Sequence, residues 1–409
     1  MSWVTWGRKS ADALSGRGPL GLDWNSGRVR AVYGKATKNK VFLLDDPHTD
    51  LPLGISLEKR TPEVGRAALR SARKLPHAIC ADYLPALGQS TEWKHGKTVL
   101  NVDAALSLAL ERLKAVTTGH EGFALALPSY LSVPQVTRFC LLAERAKVKI
   151  RGTASAPLAL AAERATHFLY GQREEAPPET PKNNRAIQPT NVVVIDIDEH
   201  ALTASVVRIS ESEVRSLASA SYPRLGTRWW RERLLDAMAD RCVRLCRRDP
   251  RDNADAEQML FEQLDEAIDR ARTGQRVSLS VRTAHWFQDL ILSPADLDAV
   301  CSTLCRQVSE EVRNLLVTAN DAEPPRAAWL THDVGRLPGL ATALHQNLTD
   351  RTSVRVLHPE ATATAVANFI ERWEVNQLPR THLDTAIVLP PRPDSRLLPR
   401  APQRQPEAR

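Results

Sequence analysis

Apolar residues recur at three- and four-residue spacing along seven stretches of the chain: Val102–Val116, Pro134–Ala146, Ala156–Tyr170, Thr227–Arg248, Ala254–Arg272, Pro294–Ala319 and Pro338–Leu348. That spacing lays one apolar stripe along each stretch and predicts amphipathic helices. Ser293-Pro294 and Ser132-x-Pro134 punctuate two of the starts. A hydroxyl there accepts from first-turn amides, and proline enters a first turn at no hydrogen-bond cost. Shorter apolar runs read as strands: Phe123–Leu127, Asn191–Ile197, Ala201–Ile209, Val214–Ser221, Arg276–Arg282 and Arg326–Leu330. Strands interleaved with helices predict an α/β fold.

The pattern falls into two blocks. After a poorly patterned stretch, residues 1–20, the first runs over residues 21–170 and opens on a strand-like segment. Gly171–Thr190 is polar and proline-rich and reads as a loop or linker. The second block runs over 191–373, followed by a C-terminal extension, 374–409. Its last part, Leu389–Arg409, has six prolines and five arginines, cannot bury a core, and is expected to be disordered. Each block opens with a pair of apolar strands carrying an aspartate, Asp23 or Asp196, and later reaches a strand followed by a long helix. This shared plan predicts a duplicated α/β architecture with a cleft between its halves, a place where ligands often sit.

Composition narrows the choice of partners. The 409 residues are 43% hydrophobic and 25% charged, enough for a sizeable core, and the net charge is only +7. Aromatics make up 5% and are not interleaved with a basic stripe, so no nucleic-acid partner is expected. There is neither an eighteen-residue apolar run nor a signal-like start, which predicts a cytoplasmic protein without a membrane partner. Cys242/Cys246 and Cys301/Cys305 are each spaced i, i+4 within helical patterns. A four-thiolate zinc site and a pair of small core hydrophobes are the two readings of that spacing, and the absence of tight Cys loops favours the second. The eleven histidines form neither a His-x3-His nor a Ser/His/Asp arrangement. Trp229-Trp230, at the start of an arginine-rich helix, reads either as a docking surface or as one inward tryptophan beneath snorkelling arginines. Trp3 and Trp6 stand in the unpatterned N-terminus.

An ordered series of short segments carries a further reading: Gly21-Leu22-Asp23; Leu127-Pro128-Ser129-Tyr130 with Gln135 to Arg138; Ala156-Pro157-Leu158-Ala159; Val194-Ile195-Asp196-Ile197 with Ser205-Val206-Val207; Leu330 to Leu340; and His358-Pro359-Glu360-Ala361. From Gly21 to about Phe369 this series resembles the nucleotide-binding domain of DnaK-type heat-shock chaperones, within the actin-like ATPase superfamily. The resemblance implies two actin-like lobes around a deep nucleotide cleft, with ATP or ADP and Mg²⁺ as the cofactors. Within it, Asp23, Ser26 and Asp196 fall at the phosphate end. Asp269, Arg272, Arg336 and Glu360 fall at the adenine end, where Asp269 and Arg272 keep an acid-then-base pair.

The departures concentrate on the groups that phosphate chemistry needs. Glycine amides normally cradle the phosphates, because only glycine permits the close approach. Here Asn25 stands at the glycine of the first turn, and the second turn reads Asp196-Ile197-Asp198-Glu199-His200-Ala201. Two carboxylates there are expected to repel each other and any phosphate. A metal bridging Asp198, Glu199 and His200 is one alternative and a solvated turn the other. The phosphate-facing lysine of the family aligns with Leu84, its cleft glutamate with Ala156, and its second metal-shell aspartate with Thr203. Losing these together removes several powers of ten in rate. No residue is therefore assigned a catalytic or metal-ligating role. The expected function is a pseudo-ATPase that keeps the scaffold to bind other proteins, with weak or no adenine-nucleotide binding. The alternative is an ATP-binding and ATP-hydrolysing chaperone-like protein with a divergent phosphate site. The family's peptide-binding β-sandwich has no counterpart in this sequence.

Overall fold

Leu20–Trp24 is buried along its whole length, as a strand in the middle of a covered sheet must be. It pairs antiparallel with Arg28–Tyr33 through a three-residue turn, and parallel with Phe123–Leu127, Leu20 lying opposite Phe123. Ile150–Ser155 adds parallel to Phe123–Leu127, and Lys40–Phe42 adds antiparallel to Arg28–Tyr33. Asp50–Pro52 completes this six-stranded mixed sheet. A second six-stranded sheet repeats the order. Thr190–Ile197 pairs antiparallel with Leu202–Ile209 and parallel with Ala327–Leu330, flanked by Glu213–Tyr222 and by Ser353–Val356. Ala386–Val388 adds one more strand along Glu213–Tyr222. The computed structural model describes residues 18–34, 39–174, 188–319 and 323–390, and the protein is a mixed α/β chain built on these two mixed sheets.

The apolar periodicities give helices at Val102–Val116, Val133–Arg145, Thr227–Cys246, Ala254–Arg272 and Pro294–Thr318. Ser293 and Asp296 form a reciprocal capping box at the start of the last of these. Three bounds shift. The helix from Ala156 runs to Glu174, four residues into the polar stretch expected to be a loop. Thr227–Cys246 stops early because Arg247 adopts a left-handed conformation with φ 60°. The stretch from Pro338 begins its helix at Leu340, after a separate short turn of helix at His332–Arg336. Trp3, Trp6 and residues 1–17, the insert residues 175–187 and the tail residues 391–409 lie outside the described residues.

Of the three apolar clusters, one sits on the outer face of each sheet and the third joins them. Ala124, Ala126 and Ala154 of the first sheet and Val192, Val194 and Val207 of the second share it. Between them lie the helices Ala156–Glu174 and Ala361–Ala367, which contact each other. The alanines let backbone approach backbone. A Cβ added at Gly21 would lie 2.3 Å from the Ala363 carbonyl oxygen and 2.6 Å from the Ala367 Cβ. Cys242, Cys301 and Cys305 are buried in the cluster of the second sheet, and burial raises all three thiols, which makes them core hydrophobes. Trp230 is fully buried with its indole N–H on the Leu225 carbonyl, whereas Trp229 is 49% exposed. Among the described residues no helix is long and apolar enough to cross a membrane.

Gly21→Val tests this close packing. The added side chain meets backbone on the facing helix, so unfolding in denaturant is expected to show a loss of about 3 kcal/mol or more, the upper end for overpacked cores.

Candidate functional site

The turns that open the two sheets face each other, and Asp198 and His200, which stand where glycines were expected, meet Ser26 of the other turn. In the first turn the Asn25 Oδ1 accepts from the amides of Gly27 (3.0 Å) and Arg28 (2.9 Å), a local closure that asparagine supplies without a glycine. In the second, the Asp198 Oδ1 accepts from the amides of His200 (2.9 Å) and Ala201 (3.0 Å). The other oxygen of Asp198 crosses to the first half of the molecule. It accepts from the Ser26 amide at 3.0 Å and from the Tyr130 hydroxyl at 2.6 Å. The His200 amide also donates to the Ser26 Oγ at 2.9 Å. Asp198 is thus a buried carboxylate with four donors around it, three of them backbone amides from two different turns.

Its neighbours are paired as well. Glu199 accepts from the Thr227 hydroxyl at 3.0 Å and forms an ion pair with Arg231. The His200 Nδ1 meets an Asp82 carboxylate oxygen at 2.9 Å, and the His200 ring leans on Tyr130 with centroids 5.1 Å apart. The expected repulsion between the adjacent carboxylates is corrected by this arrangement: each side chain has turned to donors of its own. Among the described residues no group of three or more His, Cys, Asp or Glu side chains is placed to hold a metal.

Behind the turns lies a second layer of buried charge. Arg28 reaches Asp23 at 3.1 Å and also pairs with Asp333, which in turn meets Arg30 at 3.2 Å. Arg30 also donates to the Pro359 carbonyl at 3.3 Å. Burial acts to raise the Asp333 carboxyl, but Arg28, His332 and Arg30 outweigh it and hold it well below the usual carboxylate range. Asp196, at the end of Thr190–Ile197, has no such cation. Its carboxylate accepts from the Thr331 hydroxyl at 2.8 Å, and burial, followed by the charge of Asp23, pushes it from 3.8 up to about 7. Burial also raises Asp198 above its ordinary value, against the hydrogen bonds from Tyr130, Ser26 and Ala201.

The structure brings Asp23, Ser26 and Asp196 into this one region. Arg336 and Asp269 join it through Asp265, which lies 3.5 Å from Arg231 of the Glu199 pair and 3.6 Å from Arg336, and Glu360 follows Pro359, whose carbonyl Arg30 holds. Asp269 and Arg336 form a bidentate pair at 2.6 and 3.1 Å, which Arg336 extends to the Asp265 carbonyl at 3.2 Å. Arg336 is therefore held edge-on by a carboxylate. Arg272 is exposed in the last turn of the helix Ala254–Arg272, and Glu360 sits before Ala361–Ala367 with an oxygen 3.4 Å from the His358 Nδ1. Leu84, Ala156 and Thr203, where the resemblance seeks a lysine, a glutamate and an aspartate, are all buried. Arg28, Arg30, Asp82 and Arg231 were given no role from the sequence, and Tyr130 and Asp333, which fall in the segments that carry the resemblance, were given none either. For Arg28 and Arg30 the signal is the alternation Arg28-Val29-Arg30-Ala31, which puts two arginines on one face of a strand that the sheet then covers.

Further out, the two halves meet again. Arg73 reaches Glu232 at 2.6 Å and Glu257 at 3.4 Å and lies over the Phe261 ring, and its amide donates to the buried Gln258 at 2.8 Å.

Asp196 sets a pH dependence whose sign follows from its raised value. In the unfolded chain its proton leaves near 3.8, and in the folded protein near 7, so across that window unfolding releases a proton. The stability that Asp196 contributes is full below about pH 4 and is lost as pH rises through about 7. Asp333, held low, acts only in more acidic solution. Thermal melts between pH 5 and pH 8 are expected to show a falling Tm, and Asp196→Asn, neutral throughout and still able to accept from Thr331, to flatten that slope and raise the Tm at pH 8.

No protein-family model and no curated protein matches this chain.

Proposed function

We propose that the chain is a degenerate relative of the heat-shock-chaperone nucleotide-binding domains, with two actin-like lobes, that does not turn over ATP and serves as a scaffold for other proteins. The like strand order of the two sheets supports the fold reading. One observation carries the functional reading: the amides of the two facing turns are already spent on the chain's own Asp198 carboxylate. A phosphate entering there must displace Asp198, which then stands as an unpaired like charge beside it. At about 4 Å and an effective dielectric near 20, that repulsion costs about 4 kcal/mol per pair of charges, or roughly a thousandfold in affinity. With the buried Leu84 at the lysine position, the family's phosphate-facing lysine is not there to offset the cost.

The arginines of this region, Arg28, Arg30 and Arg231, are committed to Asp23, Asp333 and Glu199. Asp196, raised from 3.8 to about 7 by burial and the charge of Asp23, accepts from the Thr331 hydroxyl. The surviving aspartates then read as parts of a buried hydrogen-bond and ion-pair network.

Calorimetry with ATP or ADP and Mg²⁺, paired with a phosphate-release assay, tests this proposal. No binding in the micromolar range and no turnover are expected. Micromolar ATP binding with turnover abolished by Asp196→Ala would overturn the proposal in favour of a divergent ATPase. Asp198→Gly frees the amides, and its affinity for ATP or inorganic phosphate is expected to rise at least about tenfold over the parent protein, with a melting curve run alongside to confirm folding.

A further inference from the structure

We infer that the groove along the strand Ile150–Ser155 is a docking site for an acidic, extended segment of a partner protein, which adds to the first sheet as one more strand. The inference rests on the scaffold reading above and supplies the chemistry of the partner. Ile150–Ser155 is an edge of its sheet, so one side of its backbone is not committed to the six-stranded ladder. Open edges are templates for strand addition and are normally blunted or covered. Here the cover is partial. The chain's own C-terminal segment reaches the far end of the strand, where Leu383 donates to the Thr153 carbonyl at 3.0 Å and accepts from the Ser155 amide at 2.8 Å. This short parallel bridge, Ala154 opposite Leu383, shows that the edge takes a strand in that direction. The near end, Ile150 to Gly152, opens instead into a cavity of about 1000 Å³ between the helix Val133–Arg145 and residues 373–382.

The cavity has a floor and a rim of different character. Val136, Val148 and Trp373 are buried at its base, with the Trp373 indole lying so near the strand that a Cβ at Gly152 would sit 2.2 Å from it. Lys147, Lys149 and Arg380 stand exposed around it. Two acids also border the cavity, Glu144 and Glu374, and Glu374 lies 3.8 Å from Arg151. Three exposed cations against two acids leave the border of the cavity with a net positive charge. A segment lying along the edge turns alternate side chains to opposite sides. Apolar residues would meet the floor and acidic residues the rim, while main-chain hydrogen bonds supply affinity. The chain's own residues 391–409 have the wrong sign for the groove, with five arginines against Asp394 and Glu407.

The probe is a fluorescein-labelled peptide of about ten residues alternating valine with aspartate or glutamate, long enough to cover the open near end of the strand and run on into the cavity; its lysine counterpart is the control. Fluorescence anisotropy on the full chain is expected to show binding of the acidic peptide alone, weakening as salt rises from about 50 to about 300 mM. Lys149→Glu combined with Arg380→Glu, both exposed and so not expected to alter the melting curve, should lower the affinity at least about tenfold. N-methylation of alternate peptide amides should abolish it. Absent binding, equal binding of both peptides, indifference to charge reversal, or undiminished binding of the methylated peptide would each overturn the proposal. The two readings fail separately. ATP turnover with peptide binding intact retires the pseudo-ATPase and leaves the groove standing. Absence of both leaves the scaffold standing and retires the groove.

Discussion

A buried carboxylate needs donors, and Asp198 finds them on both sides of the interface between the two sheets. An ionised or half-ionised acid without such partners is driven to neutrality or out to solvent. With them, it becomes a cross-link between turns whose residues lie about 170 positions apart in the sequence. Much else in the region follows from that arrangement. Once Asp198 takes the amides, Glu199 is left to Thr227 and Arg231, and His200 swings to Asp82. The turn is thus a set of side chains assigned to separate partners, each of which lowers the cost of burying its neighbour.

The layer behind it obeys the same constraint with opposite materials. Arg28 and Arg30 are charges buried on a strand, tolerated because Asp23 and Asp333 lie against them. Ion pairs of this kind add little net stability compared with an apolar core, yet breaking one partner away is costly. They fix register more than they hold the fold together. The apolar layer does the holding: small residues at Gly21, Ala124, Ala126 and Ala154 allow two helices to lie close against both sheets at once.

Periodicity made the long helices legible, because each buries one stripe against a sheet and is ended by local chemistry. Val102–Val116 and Ala254–Arg272 have the bounds their patterns imply. Central strands such as Phe123–Leu127 were legible for the same reason, being apolar throughout. Ile150–Ser155 was not, since Arg151, Gly152, Thr153 and Ser155 make a polar-looking strand whose burial comes from Trp373 and its neighbours. Of the site, sequence pointed to the two turns and to the foreign residues in them. It missed the cross-connections, because Asp198 with Ser26, or Arg30 with Asp333, are contacts that no local pattern encodes. Tertiary structure also changed the sense of one reading, turning two carboxylates that looked mutually repulsive into a hydrogen-bond acceptor and an ion-pair partner.

The helix Ala361–Ala367 lies on the strand Leu20–Trp24, so a strand made early is covered by a helix that leaves the ribosome long after it. Until that helix emerges, the face of the first sheet around Gly21 has nothing to bury it. Such long-range closure is slow and leaves apolar surface waiting. A nascent chain stalled anywhere before residue 361 would thus present an open sheet to the cell's holding machinery.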